Sequence, residues 1–158
     1  MVQGNLFEAK VEALVNAVNT VGVMGKGIAL LFKQRFPENY HAYAAACSAG
    51  KVRVGEMFIT AGGELNGPRW IIKFPTKQHW RQPSQLEWVR DGLLSLKEVI
   101  REKNIKSIAL PALGCGNGGL DWAVVRPLIE TSLADLPGVE ILLFEPVSDF
   151  RLTTRNIQ

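Results

Sequence analysis

Cysteine is scarce in this chain: Cys47 and Cys115 are the only two among 158 residues, and there are only two histidines. So few sulfur and imidazole ligands exclude a disulfide framework and a four-ligand zinc site. No metal and no redox cofactor is expected. No apolar run approaches the ~20 residues that cross a bilayer. The segment Met1 to Lys10 lacks the basic-then-apolar order of a secretory leader, so the chain reads as cytoplasmic. Internal repeats and low-complexity tracts are missing too. Strong charge of one sign is absent: 18 Lys+Arg against 15 Asp+Glu leave a net +3, which permits an anionic partner without requiring one.

What is present is an ordinary globular composition, 47% hydrophobic and 21% charged, at a length suited to one domain. Short apolar runs alternate with amphipathic ones, the pattern of a sheet covered by helices, so the class is α/β. Strands are predicted at Val11–Val15, Glu56–Thr60, Trp70–Phe74, Ser107–Leu110 and Val139–Phe144, with Val2–Leu6 as an edge strand. Ile71-Ile72 and Ile141-Leu142-Leu143 alternate little, as in strands buried on both faces. A helix is expected after Pro83, with Ser84 and Glu87 as a capping box and apolar positions from Leu86 to Ile100. Others should run from Gly27 toward Pro37 and from Pro37 toward Cys47. A last helix should carry Pro127 in its first turn. Beyond Pro146 the pattern is lost, so residues 147–158 read as a linker or tail after a domain spanning 1–146.

Two glycine-rich turns carry the functional signal. The first runs from Asn16 through Asn19, Thr20, Gly25, Lys26 and Gly27 to Ile28 and Ala29, leaving a strand and entering a helix. Glycines admit close backbone approach, and the free N–H groups of a helix start favour phosphate. The spacing is not that of a P-loop. The second holds Pro111, Leu113, Gly114, Cys115, Gly116, Asn117, Gly118, Gly119 and Leu120. Four glycines in its centre are entropically costly for a mere connection, and a bound anion explains them. Two such loops at the ends of strands of one open sheet suit a diphosphate.

Gly4-Asn5-Leu6, Leu14-Val15-Asn16-Ala17-Val18-Asn19, Gly25-Lys26-Gly27-Ile28-Ala29 and Leu110-Pro111-Ala112-Leu113-Gly114-Cys115-Gly116 together resemble, in order, the motifs of macrodomains. The resemblance covers about Val2 to Pro146 and implies a three-layer α/β/α fold with a mixed central sheet that binds ADP-ribose. It implies that the opening segment cups adenine, with Asn5 where the family usually has aspartate. The first glycine loop would line the distal ribose, with Asn19 touching it, and the second would hold the diphosphate. Lys73-Phe74-Pro75-Thr76-Lys77-Gln78-His79-Trp80-Arg81 resembles the DarG group in particular. That likeness implies a hydrolase removing ADP-ribose from thymidine bases of single-stranded DNA, opposing a DarT-type toxin, with Lys77 and Asn19 catalytic and Thr76 beside the ligand. A second-loop aspartate found in related glycohydrolases aligns with Gly118, and Asp121 does not take its role. A non-catalytic ADP-ribose-binding module and a glycohydrolase acting on proteins are the alternatives.

Lys77 can act as a neutral amine nucleophile, helped by positive charge from Lys73 or Arg81, or as a charged proton donor to the leaving base. The sequence leaves both open. His79, Trp80 and Arg81 combine a ring with cations, as single-strand binders do, although Trp80 fits a core position equally well. Cys115 reads as a small residue in a tight loop, not a nucleophile.

Overall fold

The computed structural model describes residues 4–25 and 27–146. Five strands form one sheet in the order β2-β3-β1-β4-β5. They are β1 (Ala13–Asn19), β2 (Phe58–Ala61), β3 (Trp70–Lys77), β4 (Ser107–Leu110) and β5 (Glu140–Leu143). All pairings are parallel except the antiparallel edge strand β2. Helices α1 (Gly27–Arg35) and α2 (Pro37–Ser48) cover one face, and α3 (Leu86–Glu102) and α4 (Trp122–Ser132) cover the other.

The sheet's alternation explains the two cores. Ala13, Val15, Ile72, Phe74, Ile108 and Leu110 pack against Val89, Leu93, Leu96 and Ile100 of α3 and Val125 and Ile129 of α4. Their neighbours Leu14, Val18, Ile71 and Ala109 meet Phe32 of α1 and Tyr43 of α2. The interior strand β3 is buried on both faces, as its Ile71-Ile72 run required, whereas in the edge strand β5 Ile141 and Leu142 are only half-buried and Leu143 alone is buried. Gly92 lets α3 approach closely: a Cβ there would lie 2.4 Å from the Phe74 ring.

Several predicted boundaries are corrected. The first strand begins later and runs on to Asn19, and Phe58–Ala61 and Glu140–Leu143 replace the second and last predicted runs. Leu6 opens a short 3-10 turn, Leu6–Glu8, instead of ending an edge strand, because the Asn5 Oδ1 accepts the Phe7 N–H. Val2 and Gln3 lie outside the described residues, as do Lys26 and the predicted tail 147–158. Ser84 does not cap α3. Gln85 takes that position without a side-chain bond, while the Ser84 N–H donates to the Gly118 carbonyl at 2.9 Å. Helix α4 starts five residues before Pro127, capped by Asp121, whose Oδ1 accepts the Ala123 N–H at 2.9 Å. Pro127 is thus inside the helix, where it removes one hydrogen-bond donor.

Candidate active site

Strands β1, β3 and β4 are parallel, so their carboxyl ends share one edge of the sheet. The chain leaves β1 for α1 on one face, and leaves the neighbouring β4 for α4 on the other. Such a reversal opens a crevice between adjacent loops. A cavity of about 670 Å³ occupies it, within the range of small-molecule sites. Its walls include Asn19, Gly25, Ile28 and Ala29 from the first glycine loop and α1, and Thr76 and Lys77 from the end of β3. The second loop contributes Pro111, Gly114, Cys115, Asn117, Gly118 and Gly119, and Trp80 and Arg81 close the rim.

Asn19 organises the first loop. Its Oδ1 accepts the backbone N–H groups of Val21, Gly22 and Val23 at 3.1, 3.0 and 3.3 Å, and its Nδ2 donates to the Val23 carbonyl at 2.8 Å. The Tyr43 hydroxyl donates to the Asn19 backbone carbonyl at 2.7 Å and lies 3.1 Å from its Oδ1. The carboxamide therefore folds the chain back on itself after β1. Thr20 reaches across: its hydroxyl donates to the Gln78 carbonyl at 3.0 Å, tying this loop to the segment after β3.

An irregularity in the sheet fixes Lys77. Val18 pairs with Pro75, but Asn19 pairs with Lys77, so β3 carries one extra residue, Thr76, at this point. Strand β2 ends its pairing at Lys73, which leaves Pro75 at a free edge where its missing donor is harmless. The Lys77 Nζ donates to the Trp80 carbonyl at 3.3 Å. Trp80 is 40% exposed. Its indole stacks on His79 with ring centroids 5.3 Å apart, and the Arg81 guanidinium lies 4.5 Å from the ring centroid. The exposed position, not a core one, is what the structure shows for Trp80.

The second loop turns on glycines that no other residue replaces easily. Gly114 has φ of 75°, and a Cβ there would meet the Leu120 methyl at 2.6 Å. A Cβ on Gly118 would lie 2.6 Å from the Ser84 hydroxyl. Burial, reinforced by Asp121, pushes the Cys115 thiol up to about 11, so it is protonated near neutral pH and has no nucleophile's character.

Other expected ligand residues lie away from the cavity wall. Gly4, Asn5 and Leu6 form the 3-10 turn and its entry, and Leu6 belongs to the α1/α2-side core. Asn16 is fully buried, Leu113 joins the α3/α4-side core and Leu120 packs against it. Thr20, Gly116 and His79 border the lining residues without being among them. Lys73, expected to lend charge to Lys77, is enclosed in the core with Met24, Phe32 and Tyr43, whereas Arg81 does share the cavity. Ala17, Val18, Val23, Gln82, Pro83 and Ala112 also line it. Ala17, Val18 and Ala112 stand inside the motifs and Val23 inside the first turn, whereas Gln82 and Pro83 had no sequence signal.

A mixed sheet between helix pairs, with two glycine loops flanking a crevice at its switch point, defines an open-sheet α/β domain, and the Macro domain family model matches residues 15–129. The chain belongs to the macrodomain family. It is 55% identical over 148 residues to a DNA ADP-ribosyl glycohydrolase of Thermus aquaticus, covering 94% of this chain and 41% of that protein. The macrodomain of Mycobacterium tuberculosis DarG superposes with a TM-score of 0.89 at 53% identity, covering 90% of this chain and 94% of that one. Thermosipho africanus DarTG, solved in complex with ADP-ribose, gives a TM-score of 0.84 at 35% identity over 92% of this chain and 41% of that one. The chain thus spans about two fifths of the length of the curated relative from Thermus aquaticus.

Proposed function

We propose that this macrodomain binds ADP-ribose in the crevice and hydrolyses the bond joining it to thymidine bases of single-stranded DNA, reversing the action of a DarT-type toxin. The observation that carries the enzymatic reading is Lys77, anchored opposite Asn19 by the extra residue in β3 and lining the same cavity as both glycine loops. Likeness to DNA ADP-ribosyl glycohydrolases supports the choice of bond. In this reading the second loop and the start of α1 direct N–H groups at the diphosphate, and Asn19 shapes the seat of the distal ribose. Gly4, Asn5 and Leu6 belong to the adenine end, and Trp80, Arg81 and His79 engage the DNA strand at the rim.

Chemistry at Lys77 takes one of two balanced forms. As an amine, its nitrogen bonds to the anomeric carbon while the bond to the base nitrogen breaks. The electron pair leaves with the base, which takes a proton, and water then releases the sugar from the lysine. As an ammonium, it donates that proton while water attacks directly. The test is release of ADP-ribose from modified single-stranded DNA. Lys77→Ala should lose most turnover yet bind ADP-ribose as before, since the lost interaction belongs to the transition state. Retained turnover removes Lys77 from the mechanism. Lys77→Arg keeps charge but has no usable amine, so activity in that variant rules out the covalent form. Preference for ADP-ribosylated protein over DNA in the same assay would overturn the substrate assignment.

A further inference from the structure

Lys73, in the middle of β3, is completely buried. Its cross-strand neighbour Asn16 is equally enclosed, and neither atom of the Asn16 amide finds a hydrogen-bonding partner in the protein. Each element packed around the Lys73 ammonium position is accounted for. Met24 of the first glycine loop presents its Sδ at 3.8 Å, and the Phe32 ring of α1 and the Tyr43 ring of α2 lie 5.2 and 5.5 Å away. Phe58 of β2 is the cross-strand partner on the other side. Only Tyr43 among these titrates. Burial holds its phenol, and the Cys47 thiol beside it, above their ordinary values, so both stay neutral near pH 7. Among the described residues no carboxylate pairs with Lys73. Any charge in this compartment is therefore positive and belongs to Lys73.

The compartment lies directly behind the ligand space. Met24 touches Lys73, while its chain neighbours Val23 and Gly25 line the cavity. One thickness of loop separates the two. We propose that Lys73 is an internal countercharge for the anionic ligand of the cavity, a positioning residue that acts through the loop Val23 to Gly25. This rests on the assignment of ADP-ribose to the crevice. An anion on the cavity side of the loop favours the charged amine behind it, because a low-dielectric interior transmits the field with little screening. The faces of Phe32 and Tyr43 suit a cation, and the Asn16 side-chain oxygen on the neighbouring strand is an unused acceptor. Burial brings the amine down to about 7, so a bound anion changes its charge within the physiological range. Binding then takes up a proton, and affinity falls as the pH rises through this range. The diphosphate of ADP-ribose carries no ionisation of its own there.

Calorimetric titration with ADP-ribose, from about pH 6 to about pH 9 in buffers of unlike ionisation heat, reads the proton directly. The wild type should take up a fraction of a proton near pH 7 to 8 and bind several-fold more tightly at the acid end of the series. Lys73→Met, close in shape but uncharged, should take up none and show a flat profile; Lys73→Gln serves as a second neutral replacement. Proton release, binding without uptake, or unchanged uptake in both variants overturns the proposal. So does uptake that vanishes in His79→Gln or Lys77→Ala while Lys73 is intact. The wild-type series needs no variant to fold. Absence of binding at every pH would remove the ligand assignment itself, whereas binding without uptake removes only the countercharge.

Discussion

Lys73 and Lys77 stand four residues apart on one strand in unlike surroundings. Lys77 is half-buried at the cavity, its amine near a backbone carbonyl, while Lys73 is fully enclosed among aromatic and thioether groups. The stability consequence of Lys73 has a definite sign. Its amine titrates at about 7 in the folded chain, below the ordinary 10.5, because burial disfavours the charge. The unfolded chain therefore binds the proton more tightly across that window, and stability rises with pH from about 7 to about 10.5. Below about 7 the penalty is fully present, on the order of 5 kcal/mol. Lys73→Met should then raise the urea midpoint at acid and neutral pH, with the gain shrinking toward pH 10. A gain that does not vary with pH would rule out titration of Lys73 as its source. This environment was invisible in the sequence, where a lysine four residues before Lys77 looks like an electrostatic neighbour. Only the packing of α1 and α2 on the sheet shows that it is walled off.

Elements were legible where periodicity alone decides them and shifted where a local contact competes. Helix α3 was readable from Val89, Leu93, Leu96 and Ile100, all of which are buried. Its start was not, because Ser84 is held by the second glycine loop instead of by its own helix. In α4 the signal of Pro127 suggested a helix start, but the Asp121 cap six residues earlier prevails and the proline is tolerated inside. Gly92 of α3 illustrates a competition that magnitudes can settle. Alanine would gain about 1 kcal/mol of helix propensity, but its methyl would press on the fully buried Phe74 ring, and overpacking of this kind costs about 1–3 kcal/mol. Gly92→Ala should lower the melting temperature by several degrees in a thermal scan. An unchanged or higher value would mean that Phe74 has room to yield.

At the scale of the whole molecule, the site belongs to the seam between two cores. The glycine loops were visible in the sequence as loops, and their common destination followed from their strand-to-helix position. The cavity's remaining wall, from Gln82 and Pro83, was not, since nothing in their residue types distinguishes them from other residues before a helix. If ADP-ribose fills the crevice, it should stabilise the fold by about 2.7 kcal/mol at a hundred times its dissociation constant, a rise of roughly 5–10 °C for a domain of this size. No rise at saturating ligand would count against the assignment. The reversal between β1 and β4 adds a further consequence. The first loop feeds the layer of α1 and α2, and the second feeds the layer of α3 and α4, so the apo domain has two halves joined chiefly through the sheet. A ligand that touches both loops acts as a rivet between them. Amide hydrogens in α1 and in α4 should then slow their exchange together on binding, making one cooperative unit of two layers that otherwise open independently.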